Sequence, residues 1–287
     1  MKLFVLFMLS LVSFEVALGA AASEPNANKR NVGIPDCIWN TCVKIDAKDQ
    51  YGSGVVFNNG KYTYIWGCAH VVAPNQTIKT VMDLRTGKPT LLVTYADAAV
   101  SQNLVEDGRH VGERLLFGKI IRYSKREDLS LIKLYATNRF KQGVVFYEGV
   151  PVVGSDIWSV TCPGASPGHT TTSKGIVSAI GRLRLSGAHD VTTGIIYDQV
   201  QIAGTYGSSG GGVFCAHSNR CIGLLTEYLV SPTQYSASMF CMAPSRRIIA
   251  FAQRNRCMYA IDSTLPVPHN EEVITDDVVP VPKDWPR

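Results

Sequence analysis

Short apolar runs broken by turn residues dominate the chain and set what it can fold into. Residues 52–57, 63–66, 91–95, 129–134, 157–160, 195–197, 212–214 and 222–225 are each rich in β-branched and aromatic side chains, and Gly, Asn, Asp or Pro clusters separate them. Such spacing predicts an all-β body, a sandwich or a barrel. One late segment breaks the pattern. From Pro244 to Arg256 the residues Ile248, Ile249 and Phe251 form an apolar stripe with Arg246, Arg247, Arg254 and Arg256 elsewhere, which predicts a helix over 244–256. With 287 residues, 46% of them hydrophobic, the chain can bury a full core as one large unit or two domains, and disorder is excluded. A formal charge of +5 does not point to nucleic acid, and no nucleic-acid partner is expected.

The N-terminus reads as a targeting segment. Lys2 precedes the mostly apolar run 3–14, and small residues follow at Ala17-Leu18-Gly19-Ala20-Ala21-Ala22. A run of this length rises about 18 Å as a helix, too short for a bilayer core of roughly 30 Å. A cleaved signal peptide over 1–22, export to the outside or the periplasm, and no membrane contact after cleavage are therefore expected; an uncleaved anchor and a viral leader are the alternatives. The far end, 258–287, holds five prolines and six acids against Lys283 and Arg287, and reads as an acidic tail.

Export makes the eight cysteines candidates for disulfides. Cys215 and Cys221 bracket a turn-like insert and are expected to face each other across a hairpin, and Cys37 and Cys42 are close enough to pair locally. His217 lies between Cys215 and Cys221, but no further ligand pair completes a zinc set, so neither metal nor cofactor is expected. Asn75-Gln76-Thr77 fits a glycosylation acceptor.

Three segments carry chemistry. Gly207-Ser208-Ser209-Gly210-Gly211-Gly212 sets a serine among glycines, which let the backbone turn sharply and aim N–H groups at one point. Serine is a weak nucleophile until a neighbouring base takes its proton. Trp66-Gly67-Cys68-Ala69-His70-Val71-Val72 offers that base, and Asp128, opening the apolar run 129–134, offers an acid to orient it.

This order, His, Asp, Ser, with these local sequences resembles the chymotrypsin-like (trypsin-like) serine peptidases. The segment around His70 is similar to the family's T-A-A-H, Asp128-Leu129-Ser130-Leu131-Ile132-Lys133 to D-L-A-L-L-K, and Gly207-Ser208-Ser209-Gly210-Gly211 to G-D-S-G-G. Gly52-Ser53-Gly54-Val55-Val56, and residues 173–179 ahead of the serine, are closest to compact Deg/HtrA-type or viral branches. The resemblance covers about residues 36–256. It implies two six-stranded antiparallel β-barrels, over 36–142 and 143–257, with a C-terminal helix, after a linker or pro-segment over 23–35. It further implies a serine endopeptidase acting on protein or peptide substrates: Ser209 as nucleophile, His70 as base, Asp128 as its orienting acid, and the amides of Gly207 and Ser209 as oxyanion hole. A histidine base near pKa 6.5 makes activity rise through about pH 6–7.5.

The sequence also departs from the family pattern. Ser208 stands where trypsin-type zymogens have an Asp that receives a freed N-terminus, so cleavage at Arg30 is not expected to activate the chain in that way. Ala203, six residues before Ser209, favours a small or medium apolar P1 side chain. Ala203, Gly204, Thr226 and Glu227 are the pocket candidates, Glu227 being able to reverse that preference. Two rivals are a protease-like binding protein without turnover and a serine esterase. The esterase would need a strand–turn–helix elbow, and the glycines after Ser209 are a poor helix start.

Overall fold

The computed structural model describes residues 36–106, 109–137, 140–164, 170–184, 195–228, 237–269 and 274–275. The expected signal segment, 1–22, and the linker lie outside them. After a short helix, α1 (Asp36–Trp39), come β1 (Cys42–Ala47), β2 (Gln50–Asn58) and β3 (Thr63–Gly67). A one-turn helix, α2 (Ala69–Val72), leads to the hairpin β4 (Gln76–Asp83) and β5 (Lys88–Tyr95). The first half ends with β6 (Ala98–Glu106), β7 (Arg109–Ser124) and β8 (Leu129–Leu134). The second half has β9 (Asp156–Thr161), β10 (Thr171–Arg184), β11 (Ile195–Gly204), β12 (Gly212–Cys215), β13 (Cys221–Tyr228) and β14 (Ala237–Pro244), then α3 (Ser245–Arg254) and β15 (Ile274–Thr275).

Each half closes into a six-stranded antiparallel barrel. The first runs β1-β2-β3-β8-β7-β6, with β7 pairing β8 and β6 pairing β1; the second runs β9-β10-β11-β14-β13-β12 and returns to β9. Counted within each barrel, both ladders have the order 1-2-3-6-5-4. Closure removes the unpaired strand edges that an open sheet would expose. The expected double barrel with a C-terminal helix is what the chain forms. The hairpin β4–β5 pairs with neither barrel, and β15 adds to β7 in parallel.

Strand alternation sorts the apolar side chains into three cores. Val43, Ile45, Ile65, Val100 and Ile132 fill the first barrel, and Ile157, Val177, Val200, Val213 and Met242 the second. A third core joins the two: Val55, Trp66 and Leu131 from one barrel meet Val160, Phe214 and Leu224 from the other, with Ile248 and Phe251 of α3. Trp66 is its centre, edge-on to Phe146 at 6.4 Å and Phe251 at 6.1 Å, its indole N–H donating to the Ala260 carbonyl at 2.8 Å. The stripe predicted for the helix is thus what α3 buries, although Ile249 is only half-buried.

Three local expectations are corrected. Cys42, Cys215 and Cys221 are free thiols. A register shift between Val213 and Phe214 sets Phe214, not Cys215, opposite Cys221. Cys221 then faces the shared core while Cys215 packs on the second barrel's core, so the two point apart. Cys37 lies in α1, its side chain outside the described residues, and its expected partner Cys42 faces Cys162 instead. Asn75 is no surface acceptor. It is buried, with its amide nitrogen donating to the carbonyls of Asp97 at 2.9 Å and Ala96 at 3.3 Å, and a glycan there would cost both bonds. Nor is the segment after Met258 all tail: Tyr259 and Ala260 belong to the shared core, and Ile274–Thr275 pair with Arg122 and Tyr123. Among the described residues no helix is long and apolar enough to cross a membrane.

Candidate active site

His70, Asp128 and Ser209 all lie outside strands, each where the chain enters or leaves the shared core. β3 buries Trp66 there and ends at Gly67, and the turn of α2 that follows presents His70 outward while Val71 and Val72 stay buried. Asp128 is the last residue before β8, whose Leu129 and Leu131 enter the same core. Its φ of 51° is a left-handed conformation uncommon for a residue with a side chain. The carboxylate that results accepts from the backbone N–H of His70 at 3.0 Å and meets His70 Nδ1 with both oxygens, at 2.9 and 3.0 Å. Two acceptors facing Nδ1 put the ring proton there and leave Nε2 with its lone pair. Burial lowers the imidazolium's pKa, but the Asp128 hydrogen bond, the Asp128 charge and the Glu227 charge outweigh it and hold His70 above its ordinary value.

The acid's turn is held from behind by α3. Arg247 donates to the Glu127 carbonyl at 2.8 Å and lies over the Tyr197 ring at 4.4 Å, and Arg254 pairs with the Glu127 carboxylate. Burial pushes the Tyr197 hydroxyl up to about 12, so it stays neutral beside this cation. Cys68 supports the base from below: its carbonyl accepts from Ser130 Oγ at 3.1 Å and its thiol donates to the Leu225 carbonyl at 3.2 Å. Cys68 Sγ gathers with ligating atoms of His70 and Asp128 within 4.8 Å, but burial and the Asp128 charge raise the thiol pKa well above its usual value and keep it neutral.

Ser209 sits in a turn that glycines make possible. Gly207 and Gly210 have φ of 91° and 87°, and a Cβ on Gly210 would lie 1.9 Å from the Ser53 carbonyl. Ser208, buried, closes the turn by accepting from the Thr205 N–H at 3.1 Å, so this position supplies a hydroxyl and no carboxylate. The Ser209 hydroxyl donates to the Thr226 carbonyl at 3.0 Å and, among the described residues, not to His70. The amides of Gly207 and Ser209 have no acceptor among the described residues, whereas Ser208, Gly210 and Gly211 donate to Thr205, Leu225 and Ser208.

A residue that motif reasoning passed over joins the two sides. Ser53 Oγ donates to the Gly207 carbonyl at 2.7 Å and accepts from the Cys162 N–H at 2.8 Å, while its own N–H donates to the Ser209 carbonyl at 2.7 Å. The neighbouring Gly52 leaves room for this approach: a Cβ there would meet Val71 at 2.5 Å and the Ser209 carbonyl at 2.9 Å. The signal was present in Gly52-Ser53-Gly54, where small residues mark a close backbone approach. Of the pocket candidates, Thr226 is buried against Ser209 and Glu227 is exposed within electrostatic reach of His70. Ala203 and Gly204 end β11 just before the serine turn, the Ala203 carbonyl accepting from Ser173 Oγ at 2.9 Å and Gly204 lying against Phe240.

Two Greek-key barrels with a His–carboxylate pair on one and a glycine-flanked serine on the other define the chymotrypsin-like class of serine peptidases. The chain belongs to the trypsin-like peptidase domain family, whose family model matches residues 52–224, and it is a serine endopeptidase. No curated protein matches the sequence. Solved structures share the fold at low identity. The serine endoprotease from Yersinia pestis superposes with a TM-score of 0.53 at 16% identity over 79% of this chain and 64% of its own, so this chain spans under two thirds of that enzyme. An inactive mutant form of Rv3671c from M. tuberculosis H37Rv gives 0.55 at 15% identity over 86% and 98%. The Rv3671c protease in its inactive form gives 0.55 at 16% over 81% and 97%.

Proposed function

We propose that the chain hydrolyses peptide bonds through an acyl-enzyme on Ser209, with His70 as general base and then general acid and Asp128 holding its tautomer. The observation that carries this reading is the Asp128 carboxylate on both the backbone and ring N–H of His70, with the serine turn tied to the same region through Ser53. For attack, the Ser209 hydroxyl turns from the Thr226 carbonyl to His70 Nε2 and gives up its proton there. The oxyanion of the tetrahedral intermediate is received by the amides of Gly207 and Ser209, each worth roughly 10²–10³ in rate. His70 then protonates the leaving amine, and water repeats the sequence on the ester. Ala203 favours a small or medium apolar P1 residue, and the N-terminal run over 1–22 favours export of the processed chain.

The test is intact mass after exposure to a fluorophosphonate, for the wild type, Ser209→Ala and His70→Ala. One adduct on the wild type, none on Ser209→Ala and a much slower one on His70→Ala are expected, with cleavage of apolar-P1 peptides separating a peptidase from an esterase. A folded wild type that takes no adduct and cleaves no peptide would sink the reading in favour of a binding protein.

A further inference from the structure

Outside the His–Asp–Ser arrangement, one pair of thiols meets across the two barrels among the described residues. Cys42 opens β1 in the first barrel, and Cys162 follows β9 in the second, 120 residues away in sequence. Their Sγ atoms are 3.6 Å apart, and both side chains are buried. Cys42 Sγ also lies 3.4 Å from the Val160 carbonyl, on the strand that leads to Cys162. We propose that Cys42 and Cys162 are a redox pair that closes to a disulfide between the barrels by exchange with a small-molecule disulfide of the glutathione class.

The chemistry is balanced by that reagent. The Cys162 thiolate attacks one sulfur of the small disulfide and expels one thiolate. Cys42, losing its proton, then attacks Cys162 Sγ and expels the second, so the protein loses two hydrogens and the reagent becomes two thiols. The environment orders the roles. The hydrogen bond from Cys42, helped by Thr170 and the Lys44 charge, lowers the Cys162 pKa despite its burial, while burial raises that of Cys42, which suits Cys162 as the attacking sulfur. Closure brings the sulfurs to about 2.05 Å. The link also bears on the proposed site, because the Cys162 N–H is the donor that holds Ser53, and Ser53 holds the Gly207 carbonyl.

The experiment equilibrates the full chain in glutathione buffers from fully reduced to fully oxidised, alkylates remaining thiols after unfolding, and maps linked peptides by mass. A peptide pair joining Cys42 to Cys162, two hydrogens lighter than the free peptides, is expected to accumulate with oxidation. The loop closed is long, so Tm should rise by about 10 °C in step with it. Both changes should vanish in Cys42→Ala and in Cys162→Ser and persist in Cys215→Ala. Oxidised wild type in which Cys42 and Cys162 are both still alkylated, or are joined to other cysteines, overturns the proposal whether or not the variants fold. Since mass and Tm need no turnover, the outcome is independent of the role given to Ser209.

Discussion

The two barrels share one strand order but hold their functional groups in opposite ways. The first brings His70 and Asp128 together through the acid's side chain: His70 rides on a single helical turn, Asp128 on a left-handed turn, and the carboxylate accepts from both the backbone and the ring N–H of His70. The second holds its serine through the backbone of the turn, with glycines at positive φ, the amides of Gly207 and Ser209 without an acceptor among the described residues, and the Ser53 hydroxyl and N–H as outside anchors on turn carbonyls. The difference teaches where each side is fragile. Losing the Asp128 carboxylate would free His70 on the first barrel, whereas the serine turn on the second would be displaced by adding as little as one methyl to Gly210.

That contrast can be broken or sharpened by mutation. The largest effect belongs to Ser209→Ala, expected to lower kcat by on the order of 10⁶ with the fold intact, checked by burst-free peptide kinetics and an unchanged Tm. Asp128→Asn comes next, at about 10⁴ in kcat, since the amide no longer holds the imidazole tautomer. Stability divides the barrels differently. Asp198, fully buried on β11 of the second barrel, takes a bidentate ion pair from Arg246 of α3 and a Gly181 N–H. Asp198→Ala strands that cation and should cost about 3–5 kcal/mol in urea unfolding. Ser53→Ala removes the hydroxyl that holds the Gly207 carbonyl from the first barrel and should lower kcat about tenfold with KM nearly unchanged.

The smallest effect is on pH. Because His70 is raised above its ordinary value and must be neutral to act as the proposed base, the acid limb of kcat/KM, where activity rises with pH, should have its midpoint above 6.5 in the wild type and move to lower pH in Asp128→Asn. The same shift has a sign for stability: the raised His70 contributes below its unfolded pKa and loses that contribution as pH rises through the folded one. A wild-type midpoint below 6.5 would mean that burial outweighs the Asp128 contact.

An all-β body was legible in the sequence because several strands are buried on both faces or alternate cleanly, and residues 129–134 read as a run because almost every residue of β8 is buried; the double barrel and the neighbourhood of the site were legible only through the resemblance of their motifs. β4 and β7 were not legible. Gln76–Asp83 is polar and largely exposed, and the 16 residues of β7 interleave Arg, Glu and Lys among apolar residues over a strand that also curves through a bulge. The cysteine pairings failed for a related reason: a one-residue register shift decides which face Cys221 takes, and spacing along the chain does not carry register. His70, Asp128 and Ser209 stood out through glycine and acid punctuation, while Ser53 did not, since its role depends on a strand 109 residues away from Cys162 coming alongside it.

The grip of α3 on Glu127 also has a meaning in time. The histidine and its acid both lie in the first 128 residues, but the arginines that brace the turn between Ser124 and Leu129 are residues 247 and 254. A chain growing from its N-terminus therefore closes its first barrel long before the acid's turn has its tethers. A helix made more than a hundred residues later is what finishes the first barrel's half of the site, so a chain truncated before α3 keeps both residues and lacks the brace on the turn that sets Asp128 against His70.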